Sequence, residues 1–111
     1  MELEKIGPGY AVRPQVALSE IAAIAAAGFK GIVNARPDGE SPDQPTSKEV
    51  EAEARRRGLF YRHIPVVPGK MTEAQAQALD QALAEAGGSV LGFCKSGTRA
   101  ANLWKLARSL D

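Results

Sequence analysis

The chain has 111 residues, 44% of them hydrophobic and 24% charged, the make-up of one soluble globular domain with a single core. Its formal net charge of +1 gives no basic excess of the kind a nucleic-acid surface carries, so nucleic acid is not expected as a partner. One cysteine excludes an internal disulfide and one histidine leaves no zinc cluster. Met1 to Lys5 lacks the apolar run of a secretory signal, and Ile21 to Phe29 is too short and Ala-rich to span a bilayer. A cytoplasmic location without membrane contact is therefore expected.

In chain order, strand and helix signals alternate. Tyr10-Ala11-Val12 predicts a short first strand. Leu18 to Ala27 predicts a helix, with Ser19 as N-cap and Gly28 as its stop. Phe29 to Asn34 predicts the next strand, and Ala35 to Pro45, with three prolines and a glycine, a loop. Thr46 with Glu49 makes a capping-box pattern whose helix runs to about Arg57, and the basic run Arg55-Arg56-Arg57 suits its C-terminus. Leu59 to Val67 predicts a strand and Pro68-Gly69 a turn, before a second capping box at Thr72 and Gln75. Ala74, Ala78, Leu79, Ala82 and Leu83 form the apolar face of the third helix, ended by Gly87-Gly88. Ser89 to Phe93 predicts a buried strand. Ala100 to Leu110 predicts a helix with Leu103, Trp104, Leu106, Ala107 and Leu110 apolar. Strands separated by helices predict a single α/β domain over residues 1–111, with a mostly parallel central sheet flanked by helices. The strand ending at Phe93 is expected to be central.

Between that strand and the last helix lies Cys94-Lys95-Ser96-Gly97-Thr98-Arg99. Functional loops of parallel sheets lie at the carboxyl ends of strands, and Cys94 falls at such an end. Loop amides and the positive end of the helix dipole favour a thiolate there. Arg99 adds a fork of donors for an oxyanion above the sulfur. Lys95, Ser96, Gly97 and Thr98 complete an anion-binding loop, with the two hydroxyls as further donors. This is a pattern for nucleophilic chemistry on a small anion, with Cys94 and Arg99 catalytic and no metal or cofactor required. An inert buried thiol is the bland alternative.

Arg36, Asp38, Glu40 and Asp43 form a second, auxiliary group. Either their loop folds over the cysteine loop and supplies polar groups, or Pro37-Asp38-Gly39 is ordinary turn chemistry and the acids are solvated or paired with Arg36. In the first case Asp38 is the best candidate acid. His63 in a strand and Trp104 on the last helix are expected in the core.

Four segments carry a family resemblance: Asn34-Ala35-Arg36-Pro37-Asp38-Gly39-Glu40, Pro42-Asp43-Gln44-Pro45, Tyr61-Arg62-His63-Ile64-Pro65-Val66 and Cys94 to Arg99. Together they resemble the phosphatase-like domain of beta-lactamase-hydrolase-like proteins, a sulfur-transferase family related in fold to dual-specificity phosphatases. Rhodanese domains carry similar loops. The resemblance implies the phosphatase-like fold of the cysteine phosphatase superfamily, Cys94 as nucleophile, Arg99 as anion binder, and a persulfide-metabolising enzyme as partner or fusion. The chain departs from the phosphatase pattern in four places. Four residues, not five, separate Cys94 from Arg99. No aspartic acid occurs in Ile64-Pro65-Val66-Val67-Pro68, where the usual general acid follows the strand. Phe93 replaces a histidine, and Ala100 replaces the hydroxyl residue after the arginine.

Phosphoryl transfer needs a wide cradle and an acid for the leaving group. Sulfur transfer needs neither, since sulfite departs unprotonated. The first expectation is therefore a rhodanese-like sulfurtransferase, in which Cys94 takes sulfur from a small anionic donor such as thiosulfate and passes it to a thiol acceptor. The alternative is a cysteine phosphatase acting on a phosphate ester through a Cys94 phosphoenzyme. A third is a non-catalytic anion-binding module.

Overall fold

The structure, a computed structural model, describes all 111 residues. Its strands are β1 (Glu4–Gly7), β2 (Tyr10–Arg13), β3 (Gly31–Asn34), β4 (Phe60–His63) and β5 (Val90–Phe93). Its helices are α1 (Ile21–Ala26), α2 (Ser47–Arg56), α3 (Glu73–Ala86) and α4 (Thr98–Ser109), with a 3-10 turn at Leu18–Glu20 leading into α1. The sheet order is β1-β2-β5-β3-β4. β5 is parallel to both β2 and β3, and β3 is parallel to β4; only the edge strand β1 runs antiparallel. A strand buried on both faces belongs in the middle of such a sheet, and all four residues of β5 are buried.

Alternation along β5 divides the core. Val90 and Cys94 join Tyr10, Val12 and Val33 in packing with Leu79, Ala82 and Leu103 of α3 and α4. Leu91 and Phe93 join Ile32 and Tyr61 in packing with Ile21, Ile24, Val50 and Ala54 of α1 and α2. Burying each of the larger aliphatic side chains contributes roughly 1.5–3 kcal/mol before entropy is counted. Thr46 and Thr72 cap α2 and α3 by accepting from the amides of Glu49 and Gln75, whose side chains accept from the threonine amides in return.

The structure departs from the sequence reading in detail. β1 was not anticipated, because Glu4-Lys5-Ile6-Gly7 lacks apolar alternation and sits on a half-exposed edge. Ser19 is not the cap of the first helix. The chain enters through the 3-10 turn, where Glu20 Oε1 accepts from Ala17 N–H at 2.8 Å. β4 stops at His63, although Ile64 and Val66 N–H still donate to Asn34 O and Ala35 O. Pro65, with no N–H, breaks the regular ladder between them. On α3 it is Ala76, not Ala74, that is buried, and Leu110 is 40% exposed at the end of the chain. α4 begins at Thr98, two residues before the expected start, so Arg99 lies in its first turn.

Candidate active site

β5 ends at Phe93 and α4 is capped by Gly97, so Cys94 to Gly97 is a tight connection between the central strand and a helix N-terminus. Gly97 has φ +94°, a left-handed conformation, and a Cβ there would stand 3.3 Å from the Arg13 carbonyl group. This conformation turns the Gly97 N–H back onto the cysteine, donating to Cys94 Sγ at 3.1 Å. Ser96 Oγ donates to Thr98 Oγ1 at 3.1 Å, tying the two loop hydroxyls together. Lys95 is exposed and its carbonyl accepts from Gln15 N–H at 3.3 Å. Ala101 N–H makes the first α4 bond, to Gly97 O, so the amides of Arg99 and Ala100 precede the helical ladder. Cys94 itself is fully buried. A cleft of 270 Å³ beside Arg13 and Pro14 shares Ser96 and Gly97 with the loop but does not include Cys94.

Arg99 has five N–H donors. Nη1 donates to Glu40 Oε2 at 2.8 Å and to Val66 O at 2.8 Å, and Nη2 donates to Glu40 Oε1 at 2.9 Å. These bonds take both Nη1 hydrogens and one on Nη2, and leave the edge formed by Nε–H and the second Nη2 hydrogen free of any oxygen partner. The bonds to Glu40 raise the Arg99 pKa still further, and the charge and hydrogen bond of Cys94 add to the effect. Arg99 is thus a fixed cation beside the sulfur. Glu40 is its anchor: bonds from Arg99 first, then from Arg36, hold its carboxyl below the ordinary range despite partial burial.

The auxiliary group divides. Arg36 is 4% exposed and donates from Nε to Glu40 Oε1 at 2.9 Å, so both residues reach the cysteine loop through Arg99. Asp38 is turned elsewhere, its Oδ1 accepting from Ser47 N–H at 2.8 Å at the start of α2. Asp43 is exposed and accepts from Ser41 Oγ, which lowers its pKa. His63 is half-buried with Nε2 2.8 Å from Arg36 O, and Trp104 stacks on Tyr10 with ring centroids 5.5 Å apart.

Sequence reading passed over three contributors. Gln15 bonds to both the cysteine loop and Arg36. Its signal was available, because it lies two residues past the carboxyl end of β2, at the same end of the sheet that singled out Cys94. Tyr10 lies beneath the loop, its hydroxyl donating to Ala100 O at 2.9 Å; burial first, then the nearby Cys94 charge, pushes its pKa far up. The Val66 carbonyl was invisible because a backbone acceptor leaves no mark on residue type. No group of three or more His, Cys, Asp or Glu side chains is placed to hold a metal ion, and no helix is long and apolar enough to cross a membrane.

Comparison with known proteins agrees with this architecture. A beta-lactamase hydrolase-like protein from Xylella fastidiosa is 42% identical over 111 residues, which are 100% of this chain and 26% of that protein. The chain therefore spans about a quarter of the length of the curated relatives it matches. A solved structure of a candidate phosphatase from Neisseria meningitidis matches with a TM-score of 0.88 and 27% identity, covering 98% of this chain and 78% of that one. Tk-PTP in its active form shares the fold at a TM-score of 0.62 and 19% identity, over 97% and 81% of the two chains. The family model for the phosphatase-like domain of beta-lactamase hydrolase-like proteins matches residues 2–111, and the chain belongs to that family.

Proposed function

We propose that the domain is a cysteine-dependent transferase that moves sulfur from a small anionic donor to a thiol. The supporting observation is the disposition of the carboxylates. Glu40 is held ionised between two guanidiniums, Asp38 serves the start of α2, and Asp43 is exposed beside Ser41. None is free to deliver a proton to a leaving oxygen near Cys94. A reaction whose leaving group departs as an anion needs no such proton.

With thiosulfate as donor, the Cys94 thiolate attacks the outer sulfur. The new S–S bond forms as the old one breaks, and its electron pair leaves with sulfite. An acceptor thiolate then attacks the terminal sulfur of the Cys94 persulfide, which restores the thiolate with no net oxidation. The free edge of Arg99 grips the sulfonate oxygens as they gain charge. With one cysteine in the chain, the acceptor comes from outside it. A persulfide-consuming enzyme would suit the domain as a companion.

A second reading, phosphate-ester hydrolysis through a phosphoenzyme, is favoured by the description of the Neisseria meningitidis structure. Mass spectrometry after thiosulfate treatment separates the two. Gain of one sulfur atom by the wild type and none by Cys94→Ser is the expected result. No gain, together with robust phosphate release from an aryl phosphate, would reverse the ranking.

A further inference from the structure

The bonds around the cysteine loop close into a circuit. Gln15 N–H donates to Lys95 O at 3.3 Å, and Gln15 Oε1 accepts from Arg36 Nη1 at 2.9 Å. Arg36 Nε donates to Glu40 Oε1, and both Glu40 oxygens accept from Arg99, in the first turn of the helix that the Lys95 connection leads into. The circuit joins the carboxyl ends of β2, β3 and β5, the three central strands of the sheet.

Arg36 is the unusual member. A charged residue that is 4% exposed must recover its lost hydration from fixed partners. Its partners are fixed at both ends. The backbone N–H of Arg36 donates to Asn34 Oδ1 at 2.9 Å, its carbonyl lies 2.8 Å from His63 Nε2, and its guanidinium divides between Gln15 and Glu40. Such an arrangement leaves Glu40 little freedom, although it sits on a loop rich in proline and glycine.

We propose that Gln15 and Arg36 are positioning residues for anion capture. Gln15 orients Arg36, Arg36 orients Glu40, and Glu40 turns the free edge of Arg99 toward the sulfur. Neither Gln15 nor Arg36 needs to touch the substrate. This rests on Cys94 and Arg99 being nucleophile and anion binder, and not on which anion is processed.

Paired alkylation rates test it. Iodoacetate carries a carboxylate and iodoacetamide does not, so the ratio of their rates at Cys94, read by mass spectrometry, reports anion capture separately from thiol reactivity and loop opening. Arg99→Ala measures the full contribution of the arginine. Gln15→Met, which keeps the backbone bond to Lys95 but removes the acceptor for Arg36, should lower the ratio about 3- to 10-fold, the worth of one hydrogen bond. Gln15→Glu, which keeps an acceptor, should restore it. Arg36→Met should lower the ratio at least as far as Gln15→Met.

A purely structural role would change both rates together and leave their ratio intact. If Arg99→Ala lowers the ratio while Gln15→Met leaves it at the wild-type value, the positioning role is wrong. If Arg99→Ala itself leaves the ratio unchanged, the assignment of Arg99 as anion binder fails, and the positioning proposal falls with it.

Discussion

Gly92 and Tyr10 show how single residues set the floor of the site. A Cβ on Gly92 would lie 2.1 Å from the Tyr10 hydroxyl, which crosses the central strand to reach Ala100 O under the cysteine loop. Gly92→Ala must push the ring aside, so a loss of about 1–3 kcal/mol is expected by urea denaturation. Because the two side chains collide directly, the cost of Gly92→Ala should be smaller in a Tyr10→Phe background; strict additivity would show that the collision is relieved elsewhere. Glu40 supplies a pH-dependent counterpart. Its folded pKa lies below the ordinary value of about 4.3, with Arg99 as the main cause. Ionised Glu40 therefore contributes stability that is full above that ordinary value and is lost as pH falls through the lower folded one. Glu40→Gln should be less stable than wild type at neutral pH, and the gap between their urea midpoints should close as the pH falls below about 4. A gap independent of pH would mean that the ion pairs contribute nothing to folding. The placement of Cys94 and Arg99 at one strand–helix connection was legible from their spacing between an apolar run and a helical one. The bonds that join Gln15 to Arg36 were not, since a half-buried amide and a buried guanidinium take their partners from the tertiary fold.

Elements with a strong local code were read closely. The capping boxes at Thr46 and Thr72 fixed the starts of α2 and α3, and glycine marked their ends. Where the code is weak, tertiary contacts decide: β1 exists as the antiparallel neighbour of β2, and its Gly7 lies against Trp104, where a Cβ would come within 2.3 Å of the ring. Sequence pattern alone puts Thr98 and Arg99 in the loop, whereas a left-handed Gly97 lets α4 begin directly after the cysteine turn. That geometry has a consequence for activity. Gly97→Ala must adopt positive φ at about 1–2 kcal/mol or move the N–H that donates to Cys94 Sγ. The variant should lose stability in thermal unfolding and also react more slowly at Cys94 at a temperature where it remains folded. Full reactivity in a destabilised variant would remove the Gly97 amide from the mechanism.

At the scale of the whole molecule, the sheet separates two cores of unequal relevance to the site. Cys94, Tyr10 and Ala100 belong to the layer under α3 and α4, together with Leu103. Ile24 belongs to the opposite layer, and both Leu103 and Ile24 are fully buried. The alternation that places successive residues of β5 on opposite faces was legible in the sequence. Which face carried Cys94 was not, because that depends on the helices that each crossover lays down. Leu103→Ala and Ile24→Ala remove comparable volume, so each should cost about 2–5 kcal/mol. They should differ at the sulfur. A cavity at Leu103 loosens the layer that supports Tyr10 and the first turn of α4, so alkylation of Cys94 by iodoacetamide should change severalfold when both variants are compared at equal fractions folded. The cavity at Ile24 lies across the sheet, and its alkylation rate should match wild type. Equal effects from the two faces would mean that Cys94 responds to global stability alone, and that the layer beneath it has no special part in holding the loop.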